Sequence, residues 1–232
     1  MSSSASPDIV TNGLVLCLDA ADKRSYPGTG TTWFDRSGGG SNGTLVNGVG
    51  YNSGNGGSLV FNGVNNRGVE ITGTNLSLNQ MTISSWNYST NYEQTGFMFE
   101  KTTNGTVNTQ YSLFYNTSSV IYYRTIGLST QDLAVNTIAA GVINSQWNNI
   151  VATFDGVNKK IYVNGILKGT SANLTNTITQ NTTGPAYIGV YGNFAGYFFN
   201  GNIAQTHIYN RALTAQEIKQ NFNATKSRFG LL

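Results

Sequence analysis

The sequence predicts an all-β fold: two antiparallel sheets packed as a jelly-roll sandwich, with one short helix near the C-terminus. Three observations predict it. Charged residues make up only 10% of the chain, against roughly 25% in an average domain. Asn, Thr, Ser and 28 glycines take their place, a mixture that disfavours helices and suits short strands joined by tight turns. Short apolar or alternating runs, each closed by turn residues, recur at the spacing of a sandwich or barrel. The 232 residues can bury one sizeable core without requiring a second domain.

Residues 1–8 are small and polar and read as an N-terminal arm; residues 9–232 read as one domain. Strands are expected at 14–19, 58–62, 68–72, 81–88, 96–100, 111–115, 120–125, 149–155, 160–164, 186–190 and 201–210. Turn residues separate them: Gly38-Gly39-Gly40, Asn47-Gly48, the Gly-rich stretch 54–57, Asn104-Gly105 and Asp155-Gly156. Asn164-Gly165 stands between Ile161-Tyr162-Val163 and Ile166-Leu167. It predicts a two-residue type I′ hairpin, whose two central residues need positive φ. The helix is specified by the capping box Thr214-x-x-Glu217 and by Leu213 and Ile218, placed as a hydrophobic staple. Ile218 and Phe222, four apart, share the face that docks on the sandwich.

Composition also bounds function. The net charge is +3 with no dense Lys/Arg cluster, so the basic footprint of a nucleic-acid binder is missing. The single cysteine, Cys17, lies in the apolar run Leu14–Asp19 and is expected to be a buried, inert thiol. The first residues lack the apolar core of a signal peptide, and no run is long enough to span a membrane as a helix. A product that stays in the cytoplasm where it is made, unless it leaves inside something larger, is the expectation. Asn-x-Ser/Thr sequons such as Asn42-Gly43-Thr44 and Asn181-Thr182-Thr183 then reflect composition.

The segment from Trp147 to Gly165, reading WNNIVATFDGVNKKIYVNG, resembles the hairpin of laminin-G-like and pentraxin-like domains. The stretch from Gly201 to Ile218 is similar to the closing strand and helix of the same concanavalin A-like lectin/glucanase superfamily, and Met81–Trp86 to its TIS-x-W strand. Leu14–Asp19, Trp33–Gly38, Asn42–Leu45 and Phe61–Val64 complete the order, over about residues 10–226. The front half, 13–63, looks most like structural proteins of tailed bacteriophages. That resemblance implies a virion component: a capsid decoration, head-fibre or tail-associated protein. It would be made in the host cytoplasm, be present in many copies or as a homo-oligomer, and have other virion proteins as partners.

Retaining glycosidases of this fold need paired carboxylates roughly 5–5.5 Å apart, and no strand here carries an alternating acidic set. Asp19 and Asp22 are the nearest pair, with Asp22 beyond the strand. Gly39–Gly43 satisfies G-x-S-x-G but lies in a Gly/Ser-rich loop and not on a nucleophile elbow. His207, the only histidine, is expected as a strand-surface or satisfied interior residue. Calcium-binding relatives carry an acidic loop before the last strand; here the matching stretch, 189–194, has no carboxylate. Asp19, Asp22 and Asp35 are read as turn residues. No catalytic residue, metal or cofactor is expected.

Aromatic platforms remain as candidates for glycan binding. Alternation sends Tyr111, Leu113 and Tyr115 inward and Phe114 outward, and Ile121 and Tyr123 inward with Tyr122 and Arg124 outward. Trp86 and Tyr88 share a register with Thr82 and Ser84, so they are expected on the less buried side. Phe114, Tyr122, Arg124, Trp86 and Tyr88 are the candidate ligand-binding set. The competing reading places these aromatics under loops or against a neighbouring subunit. The leading expectation is a non-enzymatic virion protein with a lectin-like sandwich. A free carbohydrate-binding module comes second, and a glycan hydrolase third.

Overall fold

The computed structural model describes residues 8–64, 66–73, 76–103, 109–179 and 183–232. Of the predicted arm, residues 1–7 lie outside the described residues, as do the Asn104-Gly105 turn and Asn181-Thr182 of one sequon. In chain order the strands are β1 (Leu14–Asp19), β2 (Thr32–Trp33), β3 (Gly43–Val46), β4 (Gly50–Asn52), β5 (Ser58–Asn62), β6 (Gly68–Ile71), β7 (Met81–Ser89) and β8 (Gly96–Thr102). There follow β9 (Thr109–Asn116), β10 (Val120–Thr125), β11 (Asp132–Asn136), β12 (Gln146–Phe154), β13 (Lys159–Val163), β14 (Ile166–Ser171), β15 (Ala186–Ile188) and β16 (Asn200–Tyr209). One turn of helix, α1 (Thr137–Ala140), precedes β12, and α2 (Ala215–Thr225) follows β16.

Two eight-stranded sheets result among the described residues. One runs β14-β13-β12-β7-β16-β5-β4, with β1 also on β16. The first part of β16 pairs with β5 and the second with β1. The other runs β11-β10-β9-β8-β15-β6-β3-β2. The fold is thus the predicted sandwich. The expected strands all form, with ends shifted by a few residues. The short β2, β3, β4 and β11 were not expected. Strand β11 is one of these: it is five residues long, and in Asp132–Asn136 only Leu133 is buried.

Period-two alternation builds the core. Leu16, Leu59, Ile83 and Ile150 of the first sheet meet Val69, Phe99, Leu113 and Tyr123 of the second in one buried cluster. Each such side chain contributes about 1.5–3 kcal/mol on burial. Buried tyrosines find polar partners, as buried hydroxyls must: Tyr111 donates to the Leu76 carbonyl at 2.7 Å and Tyr115 to Asn87 Oδ1 at 3.0 Å. Cys17 points away from this core and is half-buried, not buried; burial and the carboxylates of Asp19, Asp35 and Asp22 push its thiol up to about 12. Burial and neighbouring negative charge thus both disfavour its thiolate, the reactive form. The Asn164-Gly165 turn has φ of 51° and 78° and joins the paired Val163 and Ile166, the geometry its sequence predicted.

The capping box at Thr214 and Glu217 is complete, each side chain bonding the other's backbone N–H. Arg211 clamps Glu217 through two bonds of 2.9 and 2.6 Å, and this hydrogen-bonded cation holds the Glu217 carboxyl down at about 2. Thr214→Ala should cost about 1 kcal/mol, read as a shift in the urea unfolding midpoint with unchanged slope. Helix α2 packs on the outer side of the first sheet, hereafter the helix-covered sheet. Leu213 and Ile218 meet Val151, Tyr162 and Tyr209 there. The outer side of the second sheet carries no helix among the described residues, and it is called the open sheet.

This packing corrects one expectation. Trp86 does point outward from β7, as its register predicts, but it is only 2% exposed. Its ring stacks on Phe222 at 5.7 Å and on Phe229 at 4.1 Å, and its Nε1 donates to Thr225 Oγ1 at 3.0 Å. Trp86 is the seat of the C-terminal helix and not an open platform.

Candidate binding face on the open sheet

Strand pairing, read across the open sheet, aligns two rows of outward side chains. The first is aromatic. Phe97 of β8 lies opposite Phe114 of β9, which lies opposite Tyr122 of β10, which lies opposite Ala134 of β11. The three rings stand parallel: Phe97 and Phe114 are 4.6 Å apart with a 7° interplanar angle, and Phe114 and Tyr122 are 5.2 Å apart with 11°. The second row is polar and spans all eight strands. It runs Asp132, Arg124, Ser112, Glu100, Tyr187, Glu70, Thr44 and Thr32.

A bulge makes the first row. Between Phe97 and Phe99 the pairing slips by one residue, and Met98 and Phe99 both enter the core. Phe97 and Glu100 therefore share the outer face although they are three apart in sequence. Bulges re-aim side chains in this way, and simple alternation cannot foresee it. The segment after β15 adds two more rings: Tyr191 packs 5.0 Å from Phe97, and Tyr197, 59% exposed, packs 5.6 Å from Tyr191. Tyr191 belongs to the stretch 189–194, which carries no carboxylate and supplies aromatic surface here.

At the other end of the row the geometry opens. Phe114 is nearly buried between its neighbours. Tyr122 stacks on it with one face only, and its next cross-strand neighbour is the small, exposed Ala134. Beside this step, Arg124 clamps Asp132 through two bonds of 2.8 Å, and its guanidinium lies 5.3 Å from the Phe114 ring centre. The bidentate clamp fixes both polar groups. A half-exposed ring face, a small floor residue and a rigid polar pair therefore converge on the β10–β11 edge.

Glu100 lies deeper. Its carboxylate accepts from Thr109 Oγ1 and from the Gly192 N–H; burial outweighs these donors and pushes the carboxyl up to about 7. The unfolded carboxyl titrates near 4.5, so Glu100 contributes stability below about pH 4.5 that is lost as pH rises to about 7. Buried His207 works in the opposite sense, because burial lowers its pKa below 6.5. Glu100→Gln removes the first effect alone. The stability of this variant minus that of the wild type should climb between pH 4.5 and 7 and then level off, as urea unfolding at several pH values would record.

The predicted set is thus divided. Phe114, Tyr122 and Arg124 come together on the open sheet. Trp86 is covered. Tyr88 is half-buried on the opposite side of the sandwich, 5.8 Å from Trp147. Phe97, Glu100, Asp132, Ala134, Tyr191 and Tyr197 join the face and were not singled out in the sequence. Asp19, Asp22 and Asp35 take the turn roles expected of them: Asp19 accepts from the Ala21 N–H, Asp22 from the Arg24 N–H, and Asp35 from the Cys17 and Ser37 N–H groups. Asp19 also pairs with Arg228 at 2.7 Å. His207 lies opposite Cys17 on the paired strand, 5% exposed.

A two-sheet antiparallel sandwich whose last strand is followed by a capped helix, α2, carries this face. The family model of the Concanavalin A-like lectin/glucanases superfamily matches residues 61–219. The chain belongs to that superfamily. No curated protein matches the sequence. Among solved structures it is similar to domain 4 of AbnA, an extracellular arabinanase from Geobacillus stearothermophilus in complex with arabinotriose. The identity is 18% and the TM-score 0.67, over 90% of this chain and 97% of that one. It is similar to Trypanosoma rangeli sialidase in complex with the inhibitor DANA, at 17% identity and TM-score 0.70, over 97% of this chain and 36% of that one. It is also similar to the binding domain of botulinum neurotoxin DC in complex with SialylT, at 16% identity and TM-score 0.67, over 93% and 52%. The chain therefore spans a third to a half of the latter two.

Proposed function

We propose that this protein is a non-enzymatic structural protein of a bacteriophage virion, a capsid decoration, head-fibre or tail-associated component, whose open sheet binds host or environmental glycans. The observation that carries the glycan half is the edge step at Tyr122 and Ala134 beside the Arg124–Asp132 clamp. A sugar ring has an apolar C–H face, which an aromatic face can cover, and equatorial hydroxyls, which a fixed charged pair can bond. An arabinanase domain of this fold has been solved with arabinotriose, and a toxin binding domain, about half of which this chain matches, with SialylT, which supports this choice of ligand class.

The non-enzymatic half rests on the carboxylates. Glu100 is covered and occupied by two donors, Asp132 is held by Arg124, and Glu70 lies two strands from Glu100. No two of them are free to act as acid and nucleophile together. The virion half rests on the resemblance of residues 13–63 to tailed-phage structural proteins. The partners are then other virion proteins, and the place of action is the particle.

Two experiments test the reading. A glycan array probed with the whole chain should return a family of bound glycans, without sugar release on prolonged incubation. Mass spectrometry of purified particles should find the chain among the virion proteins. Binding on the array with absence from particles would leave a free carbohydrate-binding module and end the virion reading.

A further inference from the structure

On the opposite side of the sandwich lies a cavity of about 290 Å³. Strand pairing places its main wall: Asn202 of β16 lies opposite Tyr88 of β7, and Tyr88 lies opposite Trp147 of β12. The two rings are 5.8 Å apart and inclined at 53°, so they form a bent aromatic wall. Facing it is the tight turn at Gly54–Gly56, with Asn52 just before it. Ser58 and Asn202 close the base.

The wall is braced from behind. Trp147 Nε1 donates to Asn55 Oδ1 at 3.1 Å, and its ring packs 4.8 Å from Phe229. Asn55 is in turn tied to Arg228, which accepts from its amide and donates to its carbonyl at 3.0 and 2.6 Å. At the base, Asn202 Nδ2 donates to Ser58 Oγ at 3.0 Å. Asn52 Oδ1 accepts from the Gly54 N–H at 2.7 Å. These bonds orient the amides and leave the Tyr88 hydroxyl, Asn52 Nδ2 and Asn202 Oδ1 without a hydrogen bond among the described residues. One hydroxyl, one spare donor and one spare acceptor thus border an aromatic wall, and none of the lining side chains carries a formal charge.

We infer that this cavity is a second carbohydrate site, for a single neutral pyranose unit. Its size is at the lower end of the roughly 300–1,000 Å³ usual for ligand pockets, which suits one sugar ring. Asn side chains donate and accept at once, as vicinal sugar hydroxyls require. An acidic sugar finds no cation in the lining. The braced wall is formed before the ligand arrives, so little ordering opposes binding. The assignment rests on this cavity's own geometry and is independent of the open sheet.

The test uses the indole N–H signals of the whole chain in two-dimensional NMR, with methyl glucopyranoside, galactopyranoside and mannopyranoside as separate probes. Trp33 and Trp86 are buried, and Trp147 alone of the tryptophans borders the cavity. At least one probe should move the Trp147 signal saturably and leave the other two in place. Asn202→Ala and Tyr88→Phe should each weaken that binding about five-fold, the effect of one lost hydrogen bond, with the remaining spectrum unchanged. Tyr122→Ala, on the other sheet, should not alter it. A Trp147 signal that none of the three probes moves overturns the assignment, whatever the glycan array shows for the open sheet; so does binding that both cavity variants retain in full.

Discussion

Replacing Trp86 with alanine should lower the stability of the whole domain by about 3–5 kcal/mol, the range for deleting a large buried aromatic. The side chain is 2% exposed, stacks against two rings and donates a hydrogen bond to Thr225. Its removal leaves a cavity under α2 and takes the indole donor from Thr225 Oγ1, which keeps its own bond to the Asn221 carbonyl. The rings of Phe222 and Phe229 then lose the surface on which the C-terminal segment sits. Urea unfolding should show the midpoint fall, and near-ultraviolet circular dichroism should lose part of its aromatic signal. Glycan binding by the folded fraction should persist. A cost under about 1 kcal/mol, in the range of a surface substitution, would contradict the seat assigned to this residue.

The second large effect is on binding. Tyr122→Ala should weaken binding of the glycans selected on the array at least about ten-fold, since a stacked aromatic contact with its buried area is worth roughly 1.5–3 kcal/mol. Tyr122 is half-exposed, so the unfolding midpoint should move little. Ala134→Leu attacks the same step from the other side. It puts bulk on an exposed position of the edge strand β11 and should block the open face of Tyr122 without touching the core. Titration calorimetry on both variants separates lost contact from lost access. Full affinity in both would remove the edge step from the account.

Much of this was legible in the sequence, for identifiable reasons. Ile121 and Tyr123 are apolar neighbours at period two, so the outward direction of Tyr122 and Arg124 followed from alternation alone. Thr214 and Glu217 announced the start of α2 because capping is local chemistry. The type I′ turn at Asn164-Gly165 was readable for the same reason.

What escaped depends on pairing between distant segments. The slip at Met98–Phe99 places Phe97 and Glu100 on one face, and no local pattern marks it. Strand β11 carries the clamp partner Asp132 and the floor residue Ala134, yet it is five residues long with only Leu133 buried. Alternation correctly gave the side of the sheet on which Trp86 and Tyr88 stand. It carried no information on what lies above them: helix α2, whose Thr225 is 139 residues further along the chain, over Trp86, and a turn from the N-terminal third facing Tyr88. The five residues of the candidate ligand-binding set therefore occupy two sides of the sandwich.

The central claim is that the β10–β11 edge of the open sheet holds the glycan. Backbone amide NMR, with a soluble glycan drawn from the array, tests it most directly. The account predicts saturable shifts centred on Tyr122, Arg124, Asp132 and Ala134, absent in Ala134→Leu. Binding whose shifts map only to the helix-covered sheet, with those four amides unmoved, would contradict it.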